Sequence, residues 1–258
     1  IIHMMKSIFI TGASAGIGKA TALLFANQGW FVGIADVNAA GLEELKKNSK
    51  GKIGYAAVLD VTDANAVSST LKDFSAASGG KMDVLFNNAG ILRTGPFEDI
   101  PLKDHHAILN INAGGMINCT YHALPYLKNT KGSRVINMSS IASIIGSPTE
   151  VTYSSSKFWV RGFTEALHVE WKRYGIHVCD IMPCYVSTPM VKQNPGKFVD
   201  SVGVYITAED VAATVWKAAK SKRLHWMIDR PHNRLYYRLR SFIPYQVEKF
   251  VLRKMAGL

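Results

Sequence analysis

The strongest constraint on the fold is an alternation of short apolar runs with longer helical patterns, which continues through most of the 258 residues. Short apolar runs bounded by turn residues are typical of buried strands, and the segments between them have helical spacing. Strands are predicted at 7–11, 31–35, 54–59, 84–86, 134–138, 177–181 and 225–228, and helices at 18–27, 39–48, 64–75 and 154–174, with a further long helix ending near 127. This alternation predicts a parallel sheet with helices on both faces.

Composition limits the class of protein. Hydrophobic residues make up 48% of the chain and charged residues 19%, which is enough to bury a sizeable core and excludes a disordered chain. Cys119, Cys179 and Cys184 are too few and too scattered for a disulfide framework, so we expect a reducing, cytoplasmic location. Residues 105–127 lack charged side chains apart from histidine, but they contain asparagines and a proline and predict a buried helix, not a membrane span.

A glycine-rich turn follows the first predicted strand and places Gly12, Gly16 and Gly18 before a helix. Glycines let the backbone approach a pyrophosphate, whose charge is favoured by the N-terminus of the next helix. Asp36 ends the second strand, where a carboxylate accepts both ribose hydroxyls and repels a 2′-phosphate. No basic residue follows Asp36 closely, so NAD is favoured over NADP. The competing interpretations are a purely structural turn and a solvated aspartate.

Tyr153 and Lys157 are four residues apart, and Ser140 lies thirteen residues before the tyrosine. On a helix, residues i and i+4 project from the same face. A free tyrosine has a pKa of roughly 10, and a neighbouring cation favours its phenolate. The pattern therefore predicts a tyrosine acid/base assisted by a lysine, with a serine that binds the reacting oxygen. Tyr245 and Lys249 repeat the spacing without a serine upstream, and we interpret them as a chance match.

Together these residues resemble the short-chain dehydrogenase/reductase family, in its single-domain branch. The resemblance covers residue 6 to about residue 220 and depends on motifs in the family's order: the glycine turn, Asp60, Val61, Asn87, Asn88, Ala89, Gly90, Asn112, Ser140, Tyr153, Lys157 and the segment 183–188. It implies a Rossmann-like α/β fold, a doubly wound parallel sheet whose ligand lies at the carboxyl ends of the strands. It also implies a homodimer or homotetramer.

The resemblance assigns roles to individual residues. Asp60 and Val61 would contact the adenine, Asn88, Ala89 and Gly90 would line the cofactor and brace the sheet, and Val186 and Thr188 would hold the nicotinamide side. The full predicted cofactor set is Gly12, Ser14, Gly16, Ile17, Gly18, Asp36, Asp60, Val61, Asn88, Ala89, Gly90, Tyr153, Lys157, Pro183, Val186 and Thr188. Cys184 departs from the family, which usually has glycine after this proline.

The resemblance implies reversible hydride transfer between NAD and a secondary alcohol or ketone. Ser140, Tyr153, Lys157 and Asn112 are the candidate catalytic residues, and Asn112 would hold a water that links Lys157 to solvent. Asn110 competes with Asn112 for that role. No histidine or carboxylate cluster has the spacing of a metal site, so no metal is expected. A 3-oxoacyl reductase and a catalytically silent dinucleotide sensor are the alternative functions.

The substrate side is predicted from apolar residues. A lid at 189–206 and the isoleucines after Ser140 favour a hydrophobic substrate, such as a steroid, a retinoid or a long-chain compound. Lid apolarity is equally compatible with packing against the core.

The C-terminal part of the chain is basic. Residues 6–220 are predicted to form the catalytic domain, and residues 221–258 to add the last strand and a helical extension of the same domain. Residues 1–5 are interpreted as partly artificial sequence around the start. The segment 221–258 carries nine Lys or Arg and two Asp or Glu.

An amphipathic helix is predicted in this extension, with an apolar face formed by Leu235, Leu239, Phe242 and Ile243. Such a basic, apolar helix is suited either to peripheral contact with an anionic membrane or to packing on the domain, the lid or a second subunit. Nucleic-acid binding is not expected, because no recognition motif accompanies the charge.

Overall fold

The computed structural model describes residues 5–258, apart from the side chains of Arg238 and Ser241, so all but the last residue of the predicted artificial start at 1–5 lies outside the described residues. The strands are β1 Ser7–Thr11, β2 Phe31–Asp36, β3 Ile53–Val58, β4 Val84–Asn87, β5 Arg134–Met138, β6 His177–Pro183 and β7 His225–Ile228. They form one parallel sheet in the order β3-β2-β1-β4-β5-β6-β7. The predicted doubly wound α/β fold in a single domain is confirmed, with its switch point between β1 and β4.

Helices cover both faces of the sheet. Their bounds are α1 Gly16–Asn27, α2 Ala39–Asn48, α3 Ala64–Ala77, α4 Leu102–Leu109, α5 Met116–Lys128, α6 Val151–Glu170, α7 Pro189–Lys192, α8 Lys197–Val202, α9 Ala208–Ala218, α10 Pro231–Leu239 and α11 Tyr245–Ala256. Side chains of β1 alternate between the two cores: Ile8 and Ile10 pack with α1, α2 and α9, and Phe9 packs with α3 and α5. Because both faces are covered, every residue of β1 is buried.

Two helices differ from their predicted form near the site. The long helix predicted to end near 127 is interrupted by a π-helical segment, Asn110–Gly115, between α4 and α5. Helix α6 begins at Val151, three residues earlier than predicted, so that Tyr153 lies in its first turn. Its C-terminal end continues as the 3-10 turn Trp171–Tyr174.

The C-terminal extension folds back over the sheet. Tyr236, Tyr237 and Leu252 pack against Ile144 and Ile145, which follow β5. These packing residues are not those of the predicted apolar face, of which Leu235, Leu239 and Phe242 are exposed.

The predicted apolar face of the extension needs a correction. Helix α10 ends at Leu239 because Pro244 cannot continue a helix, so Phe242 and Ile243 lie beyond it and do not share its face. None of the described helices combines the length and the apolar composition needed to cross a membrane.

Candidate active site

A cavity of about 740 Å³ lies at the carboxyl ends of the strands. All the predicted site residues line this cavity except Gly18 and Asn112. These two residues lie just behind the cavity wall. The cavity has two halves. One is bordered by the glycine turn and the ends of β2 and β4, and the other by α6, the α7–α8 segment and the C-terminal extension.

The glycine turn is held to the segment after β4 by hydrogen bonds. Asn88 Nδ2 donates to the carbonyl oxygens of Thr11 (3.0 Å) and Gly12 (2.9 Å). Thr11 Oγ1 accepts from the backbone N–H groups of Asn88 and Ala89, at 3.1 Å each. Gly12 has φ +65°, and a Cβ there would lie 2.8 Å from Ala89 Cα, so a side chain is excluded. Sequence analysis missed this role of Thr11, whose only signal was its place before the first glycine.

Asp36 is fixed between the glycine turn and α2. Its Oδ2 accepts from the backbone N–H of Ser14 at 2.9 Å, and its Oδ1 accepts from Asn38 N–H at 3.0 Å. The carboxylate lines the cavity at the end of β2. Asp60 is the equivalent residue after β3 and accepts from the N–H and hydroxyl of Thr62 at 2.9 and 2.8 Å.

These residues fit a dinucleotide. Among the described residues, no side chain caps the N-terminus of α1, whose N–H groups begin beside Gly16 at the cavity wall. A Cβ added to Gly16 would lie 3.1 Å from Thr188 Cγ2, so a side chain there would crowd the cavity wall. An uncapped helix N-terminus next to a glycine cradle suits a pyrophosphate, and the Asp36 carboxylate suits ribose hydroxyls.

Tyr153 and Lys157 occupy one face of α6. Lys157 Nζ donates to the Met138 carbonyl oxygen at 2.9 Å and lies 5.5 Å from the centre of the Tyr153 ring. Burial lowers the pKa of Lys157 to about 8. The pKa of Tyr153 is raised, by burial first and by the nearby Glu150 second, and a hydrogen bond with Ser140 acts in the opposite direction. The ammonium of Lys157 bonds the Met138 carbonyl and not the phenol, so it can act on Tyr153 only through its charge and not through a direct hydrogen bond.

Ser140 begins the 3-10 turn Ile141–Ser143 directly after β5. Its Oγ accepts from Ala142 N–H at 3.1 Å and donates to the Pro183 carbonyl oxygen at 3.4 Å. The turn therefore holds the hydroxyl at the cavity wall, next to Tyr153.

Asn112 is buried in the π-helical segment, whereas its competitor Asn110 is exposed. Asn112 Oδ1 accepts from Ile91 N–H at 2.8 Å, and its Nδ2 donates to the Ile91 carbonyl (3.0 Å) and to Ser156 Oγ (3.1 Å). A Cβ on Gly90 would lie 3.1 Å from Asn112 Oδ1 and 3.8 Å from Lys157 Nζ, so the two groups meet at Gly90. π-helical segments often occur at functional sites.

The segment after β6 forms the next wall. Cys184 N–H donates to the Ile228 carbonyl oxygen at 3.1 Å, which ties this segment to β7. Val186 pairs with Ile206, and Thr188 Oγ1 donates to the Val186 carbonyl at 3.3 Å. Burial raises the pKa of the Cys184 thiol, which lines the cavity, to about 12.

Two further side chains in the cavity were missed by sequence analysis. The Glu150 side chain is buried and accepts a hydrogen bond from the Tyr185 hydroxyl at 2.7 Å. Burial raises the pKa of Glu150 to about 7, and the bond from Tyr185 opposes that rise. The available signal was an acidic residue three positions before the tyrosine.

The substrate half is mostly apolar. The lid predicted at 189–206 contains α7 and α8, and the Ser201 hydroxyl of α8 donates to the Met255 carbonyl of α11 at 2.9 Å. The α8 and α11 helices therefore close this half together. Its apolar lining is Ile141, Ile145, Met190, Phe198, Val202, Val251, Leu252 and Met255.

Comparisons with known proteins agree with this geometry. A family model described as short chain dehydrogenase matches residues 6–197. The 3-oxoacyl-[acyl-carrier-protein] reductase FabG of Thermotoga maritima is 35% identical over 194 residues, which cover 74% of this chain and 78% of the relative. Serine 3-dehydrogenase of Rhizobium radiobacter is 34% identical over 233 residues, covering 86% and 91%.

A solved structure has the same fold. The 3-ketoacyl-(acyl-carrier-protein) reductase from Brucella melitensis, complexed with NADH, superposes with a TM-score of 0.80 at 25% identity, over 88% of this chain and 97% of the other.

Proposed function

The chain belongs to the short-chain dehydrogenase/reductase family of oxidoreductases, and from this premise we propose that it interconverts a secondary alcohol and a ketone of a lipophilic compound, with NAD as cofactor. The supporting observation is that Ser140, Tyr153 and Lys157 line a cavity whose other half contains a glycine cradle and the Asp36 carboxylate. A proton-transfer group, a site for the reacting oxygen and a dinucleotide site thus share one cavity.

The proposed chemistry assigns the proton to Tyr153 Oη. In oxidation this oxygen takes the hydroxyl proton of the alcohol, and in reduction it returns that proton to the carbonyl oxygen. Ser140 Oγ donates to the same substrate oxygen and stabilises the charge that develops there. Lys157 favours the phenolate by its charge and binds the ribose, and Asn112 holds a water that connects Lys157 to solvent. A bound nicotinamide dinucleotide supplies the hydride acceptor or donor.

The NAD preference is proposed from Asp36. Its carboxylate is held by the N–H groups of Ser14 and Asn38 at the position where a dinucleotide's adenosine ribose would lie. A 2′-phosphate would meet this negative charge. Titration of the protein fluorescence with NADH and NADPH tests the proposal, and tighter binding of NADPH would reject it.

A lipophilic substrate is proposed from the apolar lining of the second half. The leading alternative is a 3-oxoacyl reductase, which is favoured by the similarity to the two acyl-carrier-protein reductases. A panel of long-chain secondary alcohols, steroids, retinol and 3-hydroxyacyl thioesters, assayed by NAD reduction, discriminates between these substrate classes.

The central experiment replaces Tyr153 with phenylalanine. The variant retains the ring but lacks the proton-transfer group, so kcat should fall by at least about a thousandfold while NADH binding persists. The matched control is Tyr121→Phe, because Tyr121 is exposed and lies outside the cavity. Turnover of the Tyr153 variant at the parental rate would contradict the mechanism. An inactive parent that binds NADH would instead favour the dinucleotide-sensing alternative.

We also propose peripheral contact between the extension and an anionic membrane. Leu235, Leu239, Phe242, Val247 and Phe250 are exposed, with Phe242 exposed by 83%. Exposed cations of this segment include Arg230, Arg234, Lys249, Arg253 and Lys254. An apolar surface bordered by cations binds anionic lipid both by burying apolar side chains and by electrostatic attraction.

Vesicle sedimentation tests the membrane contact. The wild-type chain should pellet with phosphatidylserine-containing vesicles, and a Phe242→Asp, Phe250→Asp variant should remain in the supernatant. Val169→Asp, at an exposed apolar residue of α6, is the matched control. Equal pelleting of all three proteins would reject the membrane contact.

Assembly as a homodimer or homotetramer is proposed from the exposed apolar side chains on the helices that flank Asn112 and Tyr153. Leu109, Ile117, Tyr121 and Phe158 are exposed there. Light scattering after gel filtration measures the mass, and a monomer at micromolar concentration would contradict the proposal. A cytoplasmic location remains a prediction from cysteine usage.

A further inference from the structure

The start of helix α6 brings three ionisable side chains to the cavity. Tyr153 and Lys157 are four residues apart on one face of α6, Glu150 is the N-cap residue three positions before Tyr153, and all three line the cavity. The phenol of Tyr153 therefore has both a carboxyl group and an ammonium group near it.

Glu150 is anchored from the opposite wall. The Tyr185 hydroxyl, which belongs to the segment after β6, donates to Glu150 Oε1 at 2.7 Å. Only 2% of the residue is exposed. The carboxyl group thus has a fixed position at the start of the substrate half, beside the group that would transfer the proton.

Helix capping does not explain the glutamate. Glu150 is the N-cap residue of α6, and its backbone carbonyl accepts from Ser154 N–H at 2.8 Å, but its side chain makes no capping bond to the described part of the helix. Ser, Thr, Asp and Asn are the usual residues for that purpose. The nearby helix N-terminus does favour a negative charge at this place.

The charge of Glu150 has no protein counter-ion among the described residues, since none of their ion pairs includes it. A buried carboxylate without a cation is unfavourable, and burial correspondingly raises the pKa of Glu150 to about 7. A cation brought by a ligand would supply the missing counter-charge.

We propose that Glu150, held by Tyr185, binds a protonated amine on the carbon next to the reacting carbon, and that the enzyme acts on lipophilic amino alcohols and amino ketones. This inference rests on the proposed function, because it requires the reacting oxygen to lie at Tyr153 and Ser140. The apolar residues Ile145, Phe198 and Leu252 then accommodate the hydrocarbon part.

Binding of the amine also acts on the proton-transfer group. The negative charge of Glu150 opposes formation of the Tyr153 phenolate. An ammonium paired with Glu150 offsets this charge, so the amine that is recognised also favours the ionised form of the acid/base. The same carboxyl group thereby links binding of the substrate amine to ionisation of Tyr153.

The test uses substrates that differ only in the amine. Oxidation of 2-aminododecan-3-ol and of dodecan-3-ol by NAD is compared for the wild type, Glu150→Gln and Glu150→Asp. The wild type should prefer the amino alcohol by at least about tenfold in kcat/KM, as expected for a charge-assisted hydrogen bond. Glu150→Gln should lower this ratio to about one, and Glu150→Asp, which keeps the charge, should restore part of it. Dodecane-2,3-diol separates a requirement for charge from a requirement for a hydrogen-bond donor.

The control is Glu170→Gln, an exposed carboxyl at the other end of the same helix, which should leave the ratio unchanged. NADH titration verifies that each variant is folded. Three results would overturn the inference. Two need only the wild type: a kcat/KM ratio of one between the amino alcohol and dodecan-3-ol, or equal activity toward the diol and the amino alcohol. The third is a ratio for Glu150→Gln that equals the wild-type ratio. Turnover of dodecan-3-ol without preference for the amine would leave the proposed function intact. If neither alcohol nor any member of the panel is oxidised, the proposed function fails, and the inference fails with it.

Discussion

The two halves of the cavity are built in different ways. The cofactor half comes from short segments at the ends of adjacent strands, and backbone groups make most of its contacts: Asn88 bonds the carbonyls of Thr11 and Gly12, and Asp36 bonds the N–H of Ser14. The substrate half is assembled from the segments after β5 and β6, the helices α7 and α8, and the C-terminal extension. Its contacts are made mainly by side chains.

This difference determines which substitutions each half of the cavity can accommodate. Backbone contacts at the glycine turn leave no room for a Cβ, so only glycine fits there. Side-chain contacts in the substrate half can be replaced singly without moving the sheet. The first half is therefore suited to a single class of ligand, and we expect substrate specificity to be set in the second half.

The largest effect is expected from Gly18→Ala in the cofactor half. A Cβ at Gly18 would overlap the Gly12 carbonyl oxygen and would lie 2.8 Å from Ala13 Cα, and these backbone atoms cannot move without opening the turn. We expect a loss of more than about 3 kcal/mol in the free energy of unfolding, NADH binding, or both. Fluorescence titration and urea unfolding measure these losses. Gly162→Ala, with nothing described within 4 Å of its added Cβ, is the control, and an equal response of both variants would contradict the rigidity of the turn.

The Glu150→Gln variant measures how the burial of one carboxyl group in the substrate half affects the free energy of unfolding at different pH values. Burial raises the pKa of Glu150 from its usual 4.5 to about 7, so the folded state holds this proton more tightly than the unfolded chain does. The resulting stability is fully present below about pH 4.5 and is lost as the pH rises through 7.

Between pH 4.5 and 8 the wild type should therefore lose about 3 kcal/mol relative to Glu150→Gln in the free energy of unfolding. Urea unfolding at several pH values measures the difference. Glu170→Gln is again the control. Parallel curves for wild type and Glu150→Gln would mean that Glu150 ionises as freely as in the unfolded chain.

Asp36→Ser is a milder change in the cofactor half than Gly18→Ala. Removing the carboxylate takes away the acceptor for the ribose and the charge that opposes a 2′-phosphate, so the ratio of NADPH to NADH dissociation constants should fall by about tenfold. Because Asp36 also holds Ser14 N–H, the Asp36→Asn variant, which keeps an acceptor oxygen, serves as comparison. An unchanged ratio in both variants would show that another residue selects the cofactor.

The smallest effect is expected from loosening the extension with Arg240→Ala. Arg240 Nε and Nη2 bond the two carboxyl oxygens of Glu248 at 2.5 and 3.0 Å, and its Nη1 bonds the Ile144 carbonyl. The Arg240 side chain is partly exposed and the Glu248 side chain is buried, so we expect the lost hydrogen bonds to cost about 1 kcal/mol in docking and to raise KM for a lipophilic alcohol several-fold. NADH affinity should be unchanged in steady-state and titration assays. Arg234→Ala, at an exposed arginine of the preceding helix α10, is the control.

The sequence determined the fold and the composition of the cofactor half. Strands β1, β5 and β7 have the predicted bounds. For β1 and β5 the reason is that a buried parallel strand needs a mainly apolar run that is visible in the sequence. The residues of the glycine turn and Asp36 were predictable for a related reason: backbone conformation and strand order together bring such local motifs to one edge of the sheet.

Tertiary structure decided how the substrate half is assembled. The π-helical segment that buries Asn112 depends on its bonds to Ile91, and the pairing of Glu150 with Tyr185 joins residues 35 positions apart. The extension is tied to the segment after β5 by the bond between Arg240 and the Ile144 carbonyl, two residues that are 96 positions apart. Hydrophobic periodicity shows which face of a helix is buried but not which distant side chain it meets, because that choice is made by packing between elements that are remote in the chain.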